Sequence, residues 1–160
     1  PAAPLRAMMQ THRDLDAAAI IAVEQVAPDE THRYGIVSIK GSEPPPGEPV
    51  MMTDIIEKPP RGTAPSTLAV AARYVFSPAI FEALGRTPTD RQGEIQLSDA
   101  IKLLVQTGQP VYAWLLHPDQ RRYDIGNFES YFRTFIDFVV ADERYGYLAR
   151  QYIKAKAYEL

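Results

Sequence analysis

At 160 residues, 46% hydrophobic and 23% charged, the chain is long enough to bury a real core and too apolar for overall disorder. A net charge of -3, with Lys and Arg scattered along the chain, excludes a general affinity for nucleic acid or for acidic membranes. The absence of Cys removes disulfides, thiolate-bound zinc and thiol catalysis together, and it fits a cytoplasmic origin.

Leu5, Met8, Met9 and His12 recur at helical spacing, and Asp14 to Asp16 end that segment in polar residues, so a short amphipathic helix is expected. Leu5 to Met9 already read as helix and the first residue is Pro1, so the sequence is expected to start inside a longer one. Ala18 to Val23 is a continuous apolar run of strand length, the pattern of a strand covered on both faces in a mostly parallel sheet. Such runs are far too short to cross a bilayer.

Tyr34 to Lys40 alternates as a strand, with Gly35 inside it. A strand glycine marks either a bulge or the close approach of a ligand or another backbone, and the residues alone favour the bulge. Gly41 to Gly47, with three consecutive prolines, is a stiff connector to a strand over Val50 to Glu57. In that strand Ile55 and Ile56 favour buried extended backbone, while Pro59 pushes Lys58 towards extended geometry and ends the ladder. Glu57 and Lys58 therefore sit at a strand's C-terminal end, where α/β sheets bind their ligands. There a carboxylate can accept sugar hydroxyls and an ammonium can act as a point charge on phosphate. A lone Glu-Lys-Pro is ordinarily an exposed strand end with two solvated charges; the rest of the chain changes that weighting.

Leu68 to Phe76 reads as another buried strand, whose small residues Ala69 to Ala72 would admit a ligand or a neighbouring element equally well. Ser77-Pro78 opens a helix with a hydroxyl at the N-cap and proline in the first position, and Ile80, Phe81 and Leu84 are expected on one face. Gly93 to Ile101 leads into a helix that carries Leu97, Ile101 and Leu104 inward, with Glu94, Gln96 and Asp99 complementing its dipole. Gly108-Gln109-Pro110 ends that helix and Val111 to Leu116 forms the next strand. The alternation of strands and helices places the chain in the α/β class.

Asp124 lies in a polar, glycine-containing turn just before a helix that Asn127 can cap. It could satisfy turn amides, or it could bind Mg²⁺, which takes one or two carboxylates and completes its shell with substrate phosphates. Phe128, Tyr131, Phe132, Phe135, Ile136 and Val139 form an aromatic face expected to be core. Residues 143–160 read as a last helix, with Tyr147, Leu148, Tyr152 and Ile153 on one side, placed to pack on the domain or on another subunit of a homo-oligomer. The whole of 1–160 is expected to form a single domain.

Six blocks, Arg33-Tyr34-Gly35-Ile36-Val37, Ile56-Glu57-Lys58-Pro59, Ala64-Pro65-Ser66, Ala72-Arg73-Tyr74-Val75, Gly93-Glu94-Ile95-Gln96-Leu97 and Tyr123-Asp124-Ile125-Gly126, together resemble the bacterial UTP:glucose-1-phosphate uridylyltransferase family in order and spacing. The resemblance runs from about Leu5 into the last helix, and the Gly-Glu-Ile-Gln-Leu block with Glu-Lys-Pro is its most specific part. It implies a three-layer, Rossmann-like nucleotide-diphospho-sugar transferase fold, of which this chain is the C-terminal, sugar-binding part with an incomplete sheet.

The implied reaction joins UTP and α-glucose 1-phosphate to give UDP-glucose and pyrophosphate, with Mg²⁺ as cofactor and the sugar phosphate as nucleophile. Under that resemblance Gly35 lets its backbone approach the sugar, Glu57 binds glucose hydroxyls, Lys58 neutralises the sugar-linked phosphate and serves catalysis, and Asp124 is one Mg²⁺ ligand. Such chemistry asks for positioning and charge stabilisation more than for a protein acid or base.

Two positions depart from the family's pattern, Ala72 where Gly usually precedes Arg-Tyr and Ile125 where Cys often follows the metal-binding Asp. The family's glycine-rich nucleotide loop, its lysine and its first metal-binding aspartate have no counterpart in these residues, so the 160 residues alone are expected to be inactive. A related enzyme using another base, and a non-catalytic sugar-phosphate-binding or assembly module, are the alternatives.

Overall fold

The structure, a computed structural model, describes residues 3–90, 92–120, 122–123 and 125–158. They divide into two compact units, Pro1–Gln120 and Arg121–Leu160. The first contains helix α1 (Ala3–Asp14), strands β1 (Ala19–Gln25), β2 (Gly35–Ile39), β3 (Pro49–Glu57) and β4 (Leu68–Phe76), helices α2 (Ala79–Arg86) and α3 (Leu97–Gln106), and strand β5 (Val111–Leu115). A short 3-10 helix, Pro28–Arg33, links β1 to β2.

Strand β1 is the apolar spine, with Ala19 to Val23 all buried. Its two faces feed different clusters because side chains alternate along a strand. Ile21 and Val23 join Ile80 and Ala83 of α2 and Ala100, Ile101 and Leu104 of α3, while Ile20 and Ala22 join Met8 of α1 and Trp114 of β5. Helices therefore cover both faces of this strand, as its unbroken apolar run predicts.

The pairing differs from the mostly parallel, incomplete sheet expected. Only β1 and β5 run parallel; β1–β4, β2–β3, β2–β4 and β3–β5 are antiparallel, and the five strands close in the order β1-β4-β2-β3-β5. Local connections produce this result. The Gly41–Gly47 connector returns β3 antiparallel beside β2, and β4 then fills the free edge of β1 antiparallel to it. The closure is thin at one seam, where β2 and β4 share the single pair Ile36↔Ala69.

Strand β4 is also bulged. Ile21 pairs with Tyr74 and Val23 with Val70, so Ala71, Ala72 and Arg73 all lie opposite Ala22. Extra residues in one strand bend it and strengthen its twist. Ala72 absorbs the distortion with φ +51°, in the left-handed region that suits glycine far better than alanine. The departure from the family's Gly at this position is thus a departure in backbone strain.

Helix α2 begins one residue later than the Ser77-Pro78 pattern suggests, with Pro78 at its cap, although the Ser77 hydroxyl still accepts the Ala79 amide at 3.3 Å. Its buried face carries Ile80 and Ala83, whereas Phe81 is 75% exposed. Phe81 lies about 100° around the helix from Ile80, which takes it off the stripe that faces α3. Helix α3 conforms to expectation, with Ile101 and Leu104 buried and Leu97 packed against them. Lys102 on its flank reaches β3, where its ammonium donates to Asp54 at 2.9 Å.

The second unit holds α4 (Phe128–Ala141) and α5 (Gly146–Ala157). Asn127 caps α4 as its sequence suggests, accepting the Ser130 amide at 2.9 Å. The aromatic face is not core: α4 has no buried residue, and Phe128, Tyr131, Phe132, Phe135 and Ile136 are all exposed. Two helices alone offer too little facing surface to cover it.

Candidate functional site

The C-terminal end of β3 brings three of the residues singled out from sequence together. Gly35 pairs directly with Glu57 across β2 and β3, and the register runs unbroken from Gly35 to Ser38 before its shift between Ser38 and Ile39. Gly35 therefore marks a close approach, and the bulge expected there is displaced along the strand. A Cβ at Gly35 would stand 3.0 Å from Glu57 Oε2 and 3.5 Å from Val70 Cγ2. The missing side chain keeps open the space in front of the carboxylate.

Lys58 follows at φ +43° rather than in the extended form favoured before proline. Two contacts impose this. The Lys58 amide donates to the Tyr34 carbonyl at 3.0 Å, continuing the ladder one residue past the strand, and Pro59 is fully buried beneath the turn. A left-handed lysine ahead of proline costs on the order of 1–3 kcal/mol, and backbone strain of that kind concentrates at functional sites. The Lys58 ammonium lies 3.9 Å from Glu57 Oε1, with both side chains more than a third exposed. They form a loose pair facing solvent, in which each retains capacity for a ligand.

Two further residues converge on Glu57 from other elements. Tyr74 of β4 and Gln96, at the N-cap of α3, line a cavity of about 100 Å³ together with Glu57 and Ser98. Burial, followed by the nearby Glu57 charge, pushes the Tyr74 phenol above its ordinary pKa, so it stays a neutral hydrogen-bonding group at physiological pH. Neither was singled out as a site residue from sequence. The available signal was their presence in the Arg-Tyr and Gly-Glu-Ile-Gln blocks, since no local pattern says that β4 and α3 meet at the tip of β3. A wider cavity of about 600 Å³ opens elsewhere, between the 3-10 helix, Ser38–Gly41 and residues 62–68. Among the described residues its lining offers hydroxyls and the carboxylate of Glu43, but no cation for a phosphate.

Asp124 lies outside the described residues. Among the described residues no group of three His, Asp or Glu side chains comes together to hold a metal ion.

A family model described as "Nucleotidyl transferase" matches residues 2–139. The chain belongs to the nucleotidyl transferase family. It is 40% identical over 139 residues to the UTP--glucose-1-phosphate uridylyltransferase of Bacillus subtilis, a match covering 87% of this chain and 45% of that protein. The Escherichia coli protein of the same name is 39% identical over 126 residues, covering 79% and 40%.

Among solved structures, the UTP-bound UGPase from Acinetobacter baumannii superposes with a TM-score of 0.81 at 35% identity, covering 94% of this chain and 49% of that one. A UDP-glucose pyrophosphorylase complexed with UDP-glucose gives 0.71 at 31% identity, covering 82% and 47%. The α/β fold is thus that of a nucleotidyl transferase, and the chain spans less than half the length of these curated relatives. No helix among the described residues is long and apolar enough to cross a membrane.

Proposed function

We propose that this nucleotidyl transferase chain supplies the sugar-phosphate side of an enzyme that joins UTP to α-glucose 1-phosphate, giving UDP-glucose and pyrophosphate. The observation that carries the reading is the grouping at the end of β3, where a carboxylate and an ammonium stand side by side in front of a glycine whose missing Cβ leaves room beside Glu57. Glu57 accepts glucose hydroxyls, Gly35 allows the ring to approach, and Lys58 opposes charge on the sugar-linked phosphate as the new bond to the α-phosphorus of UTP forms. Binding energy placed on that charge serves the transition state more than the ground state.

Asp124 is the residue proposed to hold Mg²⁺, a hard dication that would screen the phosphates when bound. The relatives' names support UTP and glucose 1-phosphate as substrates, and the portion of those relatives not spanned here would supply the nucleotide side. The family match runs from the first unit into the second, which supports reading 1–160 as parts of one domain. Helices on both faces of β1 support a three-layer arrangement. A cytoplasmic, homo-oligomeric enzyme fits this reading.

Titrating the ¹⁵N-labelled chain with glucose 1-phosphate tests the site directly. Shifts should centre on Gly35, Glu57 and Lys58; a response confined to Ser38–Gly41 and residues 62–68 would move the site to the wider cavity and end this reading. In the complete enzyme Lys58→Ala should lower turnover most, whereas Glu57→Gln should chiefly raise KM for the sugar phosphate.

A further inference from the structure

The loop before α3 is organised by one carboxylate. Asp90 Oδ1 accepts the amides of Gln92 at 2.8 Å and Glu94 at 3.0 Å, and Asp90 Oδ2 accepts Gln96 Nε2 at 2.7 Å. The Asp90 amide in turn donates to the Glu94 carbonyl at 2.8 Å, and Gly93 turns the loop at φ +84°. These bonds hold the Asp90 carboxyl below its ordinary pKa, the Glu94 amide first, so it is ionised throughout the neutral range.

A carboxylate can only accept, so the end of the Gln96 amide that meets it must be the NH₂. That fixes the orientation of the side chain, and the carbonyl end accepts no hydrogen bond among the described residues. Gln96 also lines the cavity that contains Glu57. At about 100 Å³ that cavity is well under the roughly 300 Å³ of an enclosing small-molecule pocket, so it acts as one wall of a site. With its NH₂ held by Asp90, Gln96 keeps its side-chain carbonyl as the acceptor it can offer beside the Glu57 carboxylate, a pairing that suits a ligand rich in hydroxyl donors.

We propose that Gln96 is a specificity-determining residue whose side-chain carbonyl accepts a sugar hydroxyl beside Glu57, and that Asp90 is the positioning residue that turns this carbonyl towards the sugar. The inference rests on the sugar-phosphate reading of the site and adds to it an acceptor from α3 with its orienting group.

Asp90→Asn separates positioning from folding. Its remaining carbonyl can still accept the Gln92 and Glu94 amides, but its new NH₂ faces Gln96 and demands the carbonyl end, turning the amide round. Binding of glucose 1-phosphate and of inorganic phosphate to the chain is measured by ¹H–¹⁵N titration for wild type, Asp90→Asn, Gln96→Ala and Glu57→Gln. Gln96→Ala and Asp90→Asn should each weaken glucose 1-phosphate by about five- to tenfold, the scale of one lost hydrogen bond, with phosphate affinity unchanged.

Wild-type affinity for glucose 1-phosphate in both variants, with Glu57→Gln still impaired, would overturn the role of Gln96 and leave the site reading intact. An equal loss of both ligands in Asp90→Asn would overturn positioning in favour of a purely structural loop. Failure of the wild-type shifts to centre on Gly35, Glu57 and Lys58 would remove the site reading and this inference with it.

Discussion

In the first unit Ile21, Val37 and Ile101 are completely buried, while in the second Phe128 is 83% exposed and no residue of α4 is buried. Both sets of residues obey the same helical or strand periodicity. What separates them is the number of elements that arrive from elsewhere. Four other strands and three helices share the unit with β1, so both its apolar faces are covered, whereas α4 and α5 have only each other within their unit. Periodicity records that a face is apolar; covering it requires partners that are distant in sequence.

The comparison can be broken by substitution. The largest expected effect is Ile101→Ala, which should cost about 2–5 kcal/mol in urea unfolding through lost burial and a residual cavity, against no more than about 0.5 kcal/mol for Phe132→Ala. Equal losses would mean that α4 is as much a part of the core as α3. Asn127→Ala should cost about 1 kcal/mol, confined to the first turn of α4 and read as faster amide exchange at Ser130 and Tyr131 with β1 unaffected. Exchange rising in both units would show them unfolding together.

Ala72→Gly tests strain within the well-packed unit. Relief of the left-handed alanine, less the chain entropy that glycine adds, should raise stability by roughly 0.5–1 kcal/mol. A loss on introducing glycine would mean that the Ala72 side chain contributes more by packing than its backbone costs.

The smallest effect expected is the pH dependence at Asp90. Its folded pKa lies below the ordinary 3.8, so the unfolded chain takes up the proton first on acidification. The stability contributed by Asp90 is present above the ordinary value and is lost as pH falls through the folded one. Asp90→Asn should therefore lower the denaturant midpoint slightly at pH 7 and flatten its acid limb, so that wild type and variant converge once pH falls below the folded pKa. An unaltered acid limb would place that dependence on other carboxylates.

Much of the first unit was legible because its signals are local. The apolar run of β1, the inward face of α3 and the Glu57-Lys58 pair before Pro59 each depend on neighbours a few residues away. The Asn127 cap was legible for the same reason. Ring closure was not, since Ala19 pairs with Val111 and Val50 with Ala113, contacts that no window of sequence contains.

The extended preference of Lys58 was overridden by one hydrogen bond to Tyr34 and the burial of Pro59. Gly35 was correctly marked as unusual, but choosing between bulge and close approach required knowing that Glu57 lies across from it. Tyr74 and Gln96 meet Glu57 around one cavity only because the last residues of β4 and the start of α3 lie beside the end of β3.

The parallel pairing of β1 with β5 has a consequence for how the chain is made. Residues 111–115 leave the ribosome about 92 residues after Ala19, a delay of roughly 5–18 s at ordinary rates of synthesis. During that interval β1, with its five buried apolar residues Ala19 to Val23, is a nascent segment whose parallel neighbour does not yet exist. The emergence of β4, antiparallel on its other side, protects only one flank. An unpaired apolar edge of this kind is a template for association with other chains. Slowing translation between residues 76 and 111 should lower the yield of folded protein, whereas slowing it after residue 116 should not.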